Sequence, residues 1–179
     1  MSAGERMARS VIGERAGEDG VQLKLAGFRV GGDAYAIDIM RIKEVIDARP
    51  HAVRPVPHAP AMIEGVIQLR GVVIPVIDLR RRFGVPIDPE LERLNKLIIV
   101  SVRGRIVGLR VDSIIGELGV SADAVRPAPS LLRAGATEGL PTEFFSGVCR
   151  RGEEMIFVVS LDALLDPAAG RGLGQGGGE

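Results

Sequence analysis

Three short turns carrying glycine, each set between apolar and β-branched runs, restrict this chain to a sheet-based fold. LAGFRV and AYAIDI flank Gly31-Gly32-Asp33, KLIIVSV and IVGLRVD flank Arg103-Gly104-Arg105, and GVC and MIFVVSL flank residues 150–154. Turns of this length and composition accept positive φ and fold a chain back on itself, so they predict three β-hairpins. In IVGLRVD, Val107, Leu109 and Val111 alternate with Gly108, Arg110 and Asp112, the period of a strand with one buried face. VVIPVIDL, residues 72–79, is almost continuously apolar and reads as a strand buried on both sides, with Pro75 marking an edge or a bulge. Helical signals extend over single turns only: residues 60–63, a turn from 79 to 83 capped by Asp78, one at 122–125 after Ser121, and one at 163–165 after Ser160 or Asp162. The fold class is all-β with a few short helices.

A faint internal repeat runs through it. GVIQLRGVVIPVIDL (65–79) and GVCRRGEEMIFVVSL (147–161) both pass from Gly-Val through Arg-Gly to an apolar strand ending in Leu. Each copy is preceded, at a distance, by one of the first two hairpins. The pattern predicts two similar small β units, each curled into a barrel that removes exposed edges.

Composition limits what such units can do. The 179 residues suit one domain, or two small ones sharing a core. Formal net charge is zero, aromatic residues make up 3% and tryptophan is absent. That balance argues against nucleic-acid binding, which draws on a basic surface and stacking platforms. A small β-barrel for single-stranded nucleic acid is therefore the runner-up reading, and an enzyme comes third. Cys149, the single cysteine, excludes an intramolecular disulfide and a multi-cysteine metal site. With no signal-like or bilayer-length apolar segment, the expectation is a soluble cytoplasmic protein. Residues 1–20 and 168–179 read as flexible tails around an ordered body at 22–166.

Little catalytic chemistry survives inspection. His51 and His58 are too far apart, and too short of further ligands, for a zinc site, and read as exposed loop histidines. Cys149 reads as a small buried hydrophobe. Glu153 and Glu154 are neighbours whose side chains point to opposite faces of a strand. No glycine motif cradles phosphate, and Arg80-Arg81-Arg82 reads as a solvated helical face. No cofactor or metal is called for. Two charges embedded in apolar context remain, Glu44 in RIKEVI and Arg70 in IQLRGV, and arginine in such a setting suits a protein-binding surface.

At these residues the sequence resembles the CheW family of chemotaxis coupling proteins. The similarity is carried by GDAYAIDI (32–39), Ile42-Lys43-Glu44-Val45, PAMIEGVIQLRGVVIPVIDLR (60–80), IVGLRVDSI (106–114), VRPAP (125–129) and MIFVVSLDALL (155–165). Gln68 stands where the family commonly has asparagine before Leu-Arg-Gly. The resemblance implies two five-stranded SH3-like barrels over a shared core and no catalysis. It implies an adaptor between the cytoplasmic tips of chemoreceptors and the regulatory domain of the histidine kinase CheA. Glu44 and Arg70 fall at receptor-facing positions, with Ile42 and Val66 as neighbouring apolar surface. Gly65 and a second-barrel strand from Gly108 to Val111 fall towards kinase contacts.

Overall fold

The structure, a computed structural model, describes residues 14–17, 20–127 and 144–166. Eleven strands and two single-turn helices make up its regular elements: β1 (Glu14–Gly17), β2 (Gly20–Val30), β3 (Asp33–Asp38), β4 (Ile42–Asp47), β5 (Ile63–Leu69), β6 (Val72–Asp78), α1 (Leu79–Arg82), β7 (Lys96–Val102), β8 (Arg105–Val111), β9 (Ser113–Ser121), β10 (Phe145–Arg151), β11 (Glu154–Val159) and α2 (Leu161–Leu164). The three expected hairpins are β2–β3, β7–β8 and β10–β11. A fourth, β5–β6, turns on Arg70 and Gly71, both in the left-handed region at φ +48° and +80°. Two successive positive φ values match the twist of the flanking strands, which is why such turns favour hairpins.

The strands form two sheets, of which one runs β4-β7-β8-β6-β5 and the other holds β9-β2-β3-β11-β10 with β1 added to β2. Strand for strand the two orders correspond. Each contains a single parallel contact, β6 with β8 in the first and β3 with β11 in the second. The sequence connects them differently. The β7–β8 hairpin completes the sheet of β4–β6, and the β2–β3 hairpin completes the sheet of β9–β11. Each hairpin therefore joins the repeat copy opposite to the one that sequence order suggests, and the two units interlock. As a consequence Gly108 to Val111 lies in the same sheet as Gly65 and Glu44, not in a second barrel.

The repeat itself is real in three dimensions. Strand β5 bulges between Ile63 and Gly65, and β10 between Phe145 and Gly147. Just after each bulge the strand is bridged from outside, Val66 by Arg54 and Val148 by Arg126, through paired main-chain hydrogen bonds of 2.7–2.9 Å. These bridges bring the segment leaving one end of each strand order back to the other end. Each unit then closes with a capped helical turn, Asp78 accepting from the Arg80 amide and Ser160 from the Ala163 amide.

Three apolar clusters fill the molecule. The largest, including Phe28, Tyr35, Ile37, Leu79, Phe83, Ile98, Leu109, Val111, Phe144 and Leu161, draws on both sheets and both helical turns. Smaller clusters sit within each sheet, around Leu25, Ala36 and Ile156 in one and Ile67, Val76 and Ile99 in the other. The main core thus lies between the two units.

Other sequence readings of the elements also need correction. Residues 14–17, assigned to the mobile tail, pair with β2 from Glu14↔Leu23 to Gly17↔Gly20. Strand β3 reaches only as far as Leu25 along that edge, so the first residues of β2 offer unpaired backbone groups that a strand of any side-chain pattern satisfies. The rest of residues 1–20, the segment 168–179 and the end of VRPAP lie outside the described residues. VVIPVIDL is not buried along its length: Val72 and Val73 are 54% and 62% exposed. Pairing with β8 begins only at Val76, so Pro75 sits just before that ladder and no partner calls on its missing N–H. Residues 60–63 make a turn, Ile63 N–H donating to Pro60 O, and Ser121 makes no side-chain cap to the short 3-10 turn Ala122–Ala124.

Candidate functional site

Strands β4 and β5 stand at the two ends of one strand order, with no ladder between them. Along β4 the residues alternate between half-buried and exposed, so Ile42, Glu44 and Ile46 lean inwards while Lys43, Val45 and Asp47 face solvent. A bulge between Ile42 and Glu44 resets the register against β7. Across the seam, Arg70 Nη1 donates to both carboxylate oxygens of Glu44 at 2.9 Å. The pair therefore joins two strand edges that are not hydrogen-bonded neighbours. Arg70 remains 73% exposed and Glu44 28% exposed.

The backbone makes this arginine unusual. At φ +48° Arg70 occupies a conformation that costs a residue with a Cβ about 1 kcal/mol or more. The three-methylene stem and rigid fork of the side chain are carried on a turn that glycine would form more easily. Directly after the turn come Val72 and Val73, both exposed, and on β4 Val45 is 43% exposed. An ion pair with exposed valines one to three residues away in sequence has the composition of a docking face, with a charge to set orientation and apolar area to exclude water. Val72 and Val73 were missed in the sequence because a run of β-branched residues reads as core; the Arg70-Gly71 turn just before them was the available signal that the start of the run stands at a strand end.

The other sequence candidates separate cleanly. Ile42 packs as a half-buried side chain against the main core, and half-buried Val66 is tied by the Arg54 bridge. Gly65, Gly108 and Val111 are buried, Val111 completely, and offer no side chain to a partner. Their role is internal. A Cβ at Gly65 would lie 2.3 Å from Arg54 O, so only glycine lets the bridging segment approach. Gly108 faces Ile99 and Val76.

The arginine run after β6 is not a solvated face. Arg80 is 3% exposed and donates from Nε and Nη2 to Asp78 at 2.9 Å, hydrogen bonds that offset the burial opposing its charge. Arg82 donates to Leu164 O and Asp166 O and lies over the Phe144 ring at 4.5 Å, fastening one helical turn to the other. Only Arg81 faces solvent. His58 is exposed as expected, but His51 is half-buried. Cys149 is buried, and that burial pushes its thiol up from the ordinary range. Among the described residues no group of three His, Cys, Asp or Glu side chains is placed to hold a metal ion.

Known proteins share this architecture. The family model of the CheW-like domain matches residues 24–169. The chain is 34% identical over 142 residues to the probable chemotaxis protein CheW of Rhizobium etli, covering 79% of this chain and 86% of the relative. It is 32% identical over 146 residues to the chemotaxis protein CheW of Treponema pallidum, covering 80% and 82%. Among solved structures, the scaffolding protein TtCheW from Thermoanaerobacter tengcongensis superposes with a TM-score of 0.69 at 29% identity, over 80% of this chain and 92% of that one.

Proposed function

Since the chain belongs to the CheW family and is a non-catalytic chemotaxis scaffold, we propose that it couples chemoreceptor cytoplasmic tips to the regulatory domain of the histidine kinase CheA. The receptor side is the β4–β5 seam, where Glu44 and Arg70 orient the partner and Val45, Val72 and Val73 supply apolar area beside Ile42 and Val66. The Glu44–Arg70 ion pair, carried on a left-handed arginine, supports this reading most directly. The kinase side uses other surface of the same two units; the buried Gly65, Gly108 and Val111 shape it from beneath. No helix among the described residues is long and apolar enough to cross a membrane, and contact with receptor tips would bring the scaffold to membrane-associated arrays. Family membership lends the nucleic-acid alternative no support.

The test is titration of variants against a receptor-tip fragment and, separately, the kinase regulatory domain. Arg70→Ala should weaken receptor binding by more than about tenfold, because removing one charge strands its partner at a desolvated interface. It should barely move the melting temperature, since an exposed pair adds only about 0–1 kcal/mol to folding. Normal receptor binding by a folded Arg70→Ala protein would exclude the seam as the receptor face.

A further inference from the structure

Residues following β4, the 3-10 turn Pro89–Leu94 and strand β8 line an open cavity of about 370 Å³, its walls Ala48, Arg49, His51, Glu92, Arg93 and Arg110. We propose that this cavity is a binding site for a phosphoryl anion of the pyrophosphate or phosphate-ester class, distinct from the Glu44–Arg70 seam.

Arg110 supplies the first reason. Its side chain is only 13% exposed, and its Nε donates to Glu64 at 3.0 Å. Among the described residues neither terminal nitrogen has a hydrogen-bond partner, yet neither is among the fully enclosed unpartnered atoms. A guanidinium largely withdrawn from water, on a residue that lines a cavity, calls for an acceptor. The second is charge. Arg49 and Arg93 form no ion pair among the described residues, whereas Glu64 is engaged by Arg110 and Glu92 lies 3.6 Å from Arg80. With three arginines against two glutamates, the site has a net positive charge even with His51 neutral.

The geometry selects the ligand class. Arginine forks match the oxygen spacing of phosphate and bind it bidentately. No Phe or Tyr lines the cavity, so the phosphoryl group and not a base would be read. The volume is at the small end for ligand sites, suited to pyrophosphate or a phosphate monoester.

Calorimetric titration of the full chain with sodium pyrophosphate tests this, with AMP and an oligoglutamate peptide as parallel arms. Saturable pyrophosphate binding with a dissociation constant near or below about 1 mM is expected, weakening as salt is added. The Arg49→Ala/Arg93→Ala variant should lose about tenfold or more, while Arg105→Ala/Arg150→Ala, which removes two exposed arginines elsewhere, should bind as before. AMP binding as tightly as pyrophosphate would place the preference with monoesters; weaker AMP binding would place it with the free inorganic anion. No saturable binding, equal loss in the two double variants, or tighter binding of oligoglutamate than of either phosphate would overturn the proposal. Receptor-tip and kinase titrations of Arg49→Ala/Arg93→Ala should be unchanged, which keeps this site distinguishable from the coupling function.

Discussion

Replacing Gly65 with alanine probes how the unit carrying the receptor face is closed. The added Cβ would stand 2.3 Å from Arg54 O and 2.7 Å from its carbonyl carbon, with Val53 Cγ1 at 2.8 Å. Two of these three atoms are backbone, so no side-chain rotation relieves the clash. Either β5 shifts or the Arg54 bridge to Val66 opens, losing two main-chain hydrogen bonds of 2.9 and 2.8 Å. Overpacking of this kind costs about 1–3 kcal/mol. Each lost hydrogen bond adds about 0.5–1.5 kcal/mol. A total near 3 kcal/mol should lower the melting temperature by about 6–12 °C in a chain of this size. Gly147 is the internal control. Its added Cβ would meet Val125 Cγ1 at 2.7 Å and Arg126 O at 2.8 Å, so the nearest atom is a side-chain methyl and the backbone oxygen stands farther off than the 2.3 Å at Gly65. Urea unfolding of both variants, compared at constant m, should rank Gly65→Ala as the more destabilised. A shift below about 2 °C for Gly65→Ala, or the reverse ranking, would refute the reasoning that close approach of the bridging segment is what requires glycine.

Two further expectations concern charge. Asp78→Ala should cost about 3–5 kcal/mol by stranding buried Arg80, and Arg80→Met in the same chain should recover much of it; equal urea midpoints for wild type and Asp78→Ala would sink the claim. The Arg29 hydrogen bond holds the Glu154 carboxyl below the ordinary glutamate value. The stabilisation from that pair is therefore present above the unfolded glutamate pKa and lost as pH falls through the lower folded one. Carbon-detected NMR titration should show Glu154 returning towards the ordinary value in Arg29→Met.

Local chemistry determined a good part of this protein. The hairpin turns were legible because positive φ at Gly31-Gly32 or Arg103-Gly104 is a property of a few adjacent residues. The caps at Asp78 and Ser160 were legible for the same reason, as was the duplication, since Gly65 and Gly147 meet equivalent constraints. Glu44 and Arg70 stood out as charges framed by apolar residues, and the structure joins them directly. What only the tertiary structure decided is non-local. Nothing within β7–β8 states that it will complete the sheet of β4–β6; that follows from the parallel contact with β6 and from a core assembled between the units. The same holds for exposure. Val72 and Val73 are chemically as apolar as Ile74 and Val76, but they stand at the turn end of β6 and face solvent while the other two are enclosed. Arg80 and Arg82, read in sequence as solvated, acquire buried partners because α1 packs where Asp78, Phe144 and Leu164 converge. A side chain's neighbours within a few residues are written in the sequence, whereas burial depends on which distant strand arrives beside it.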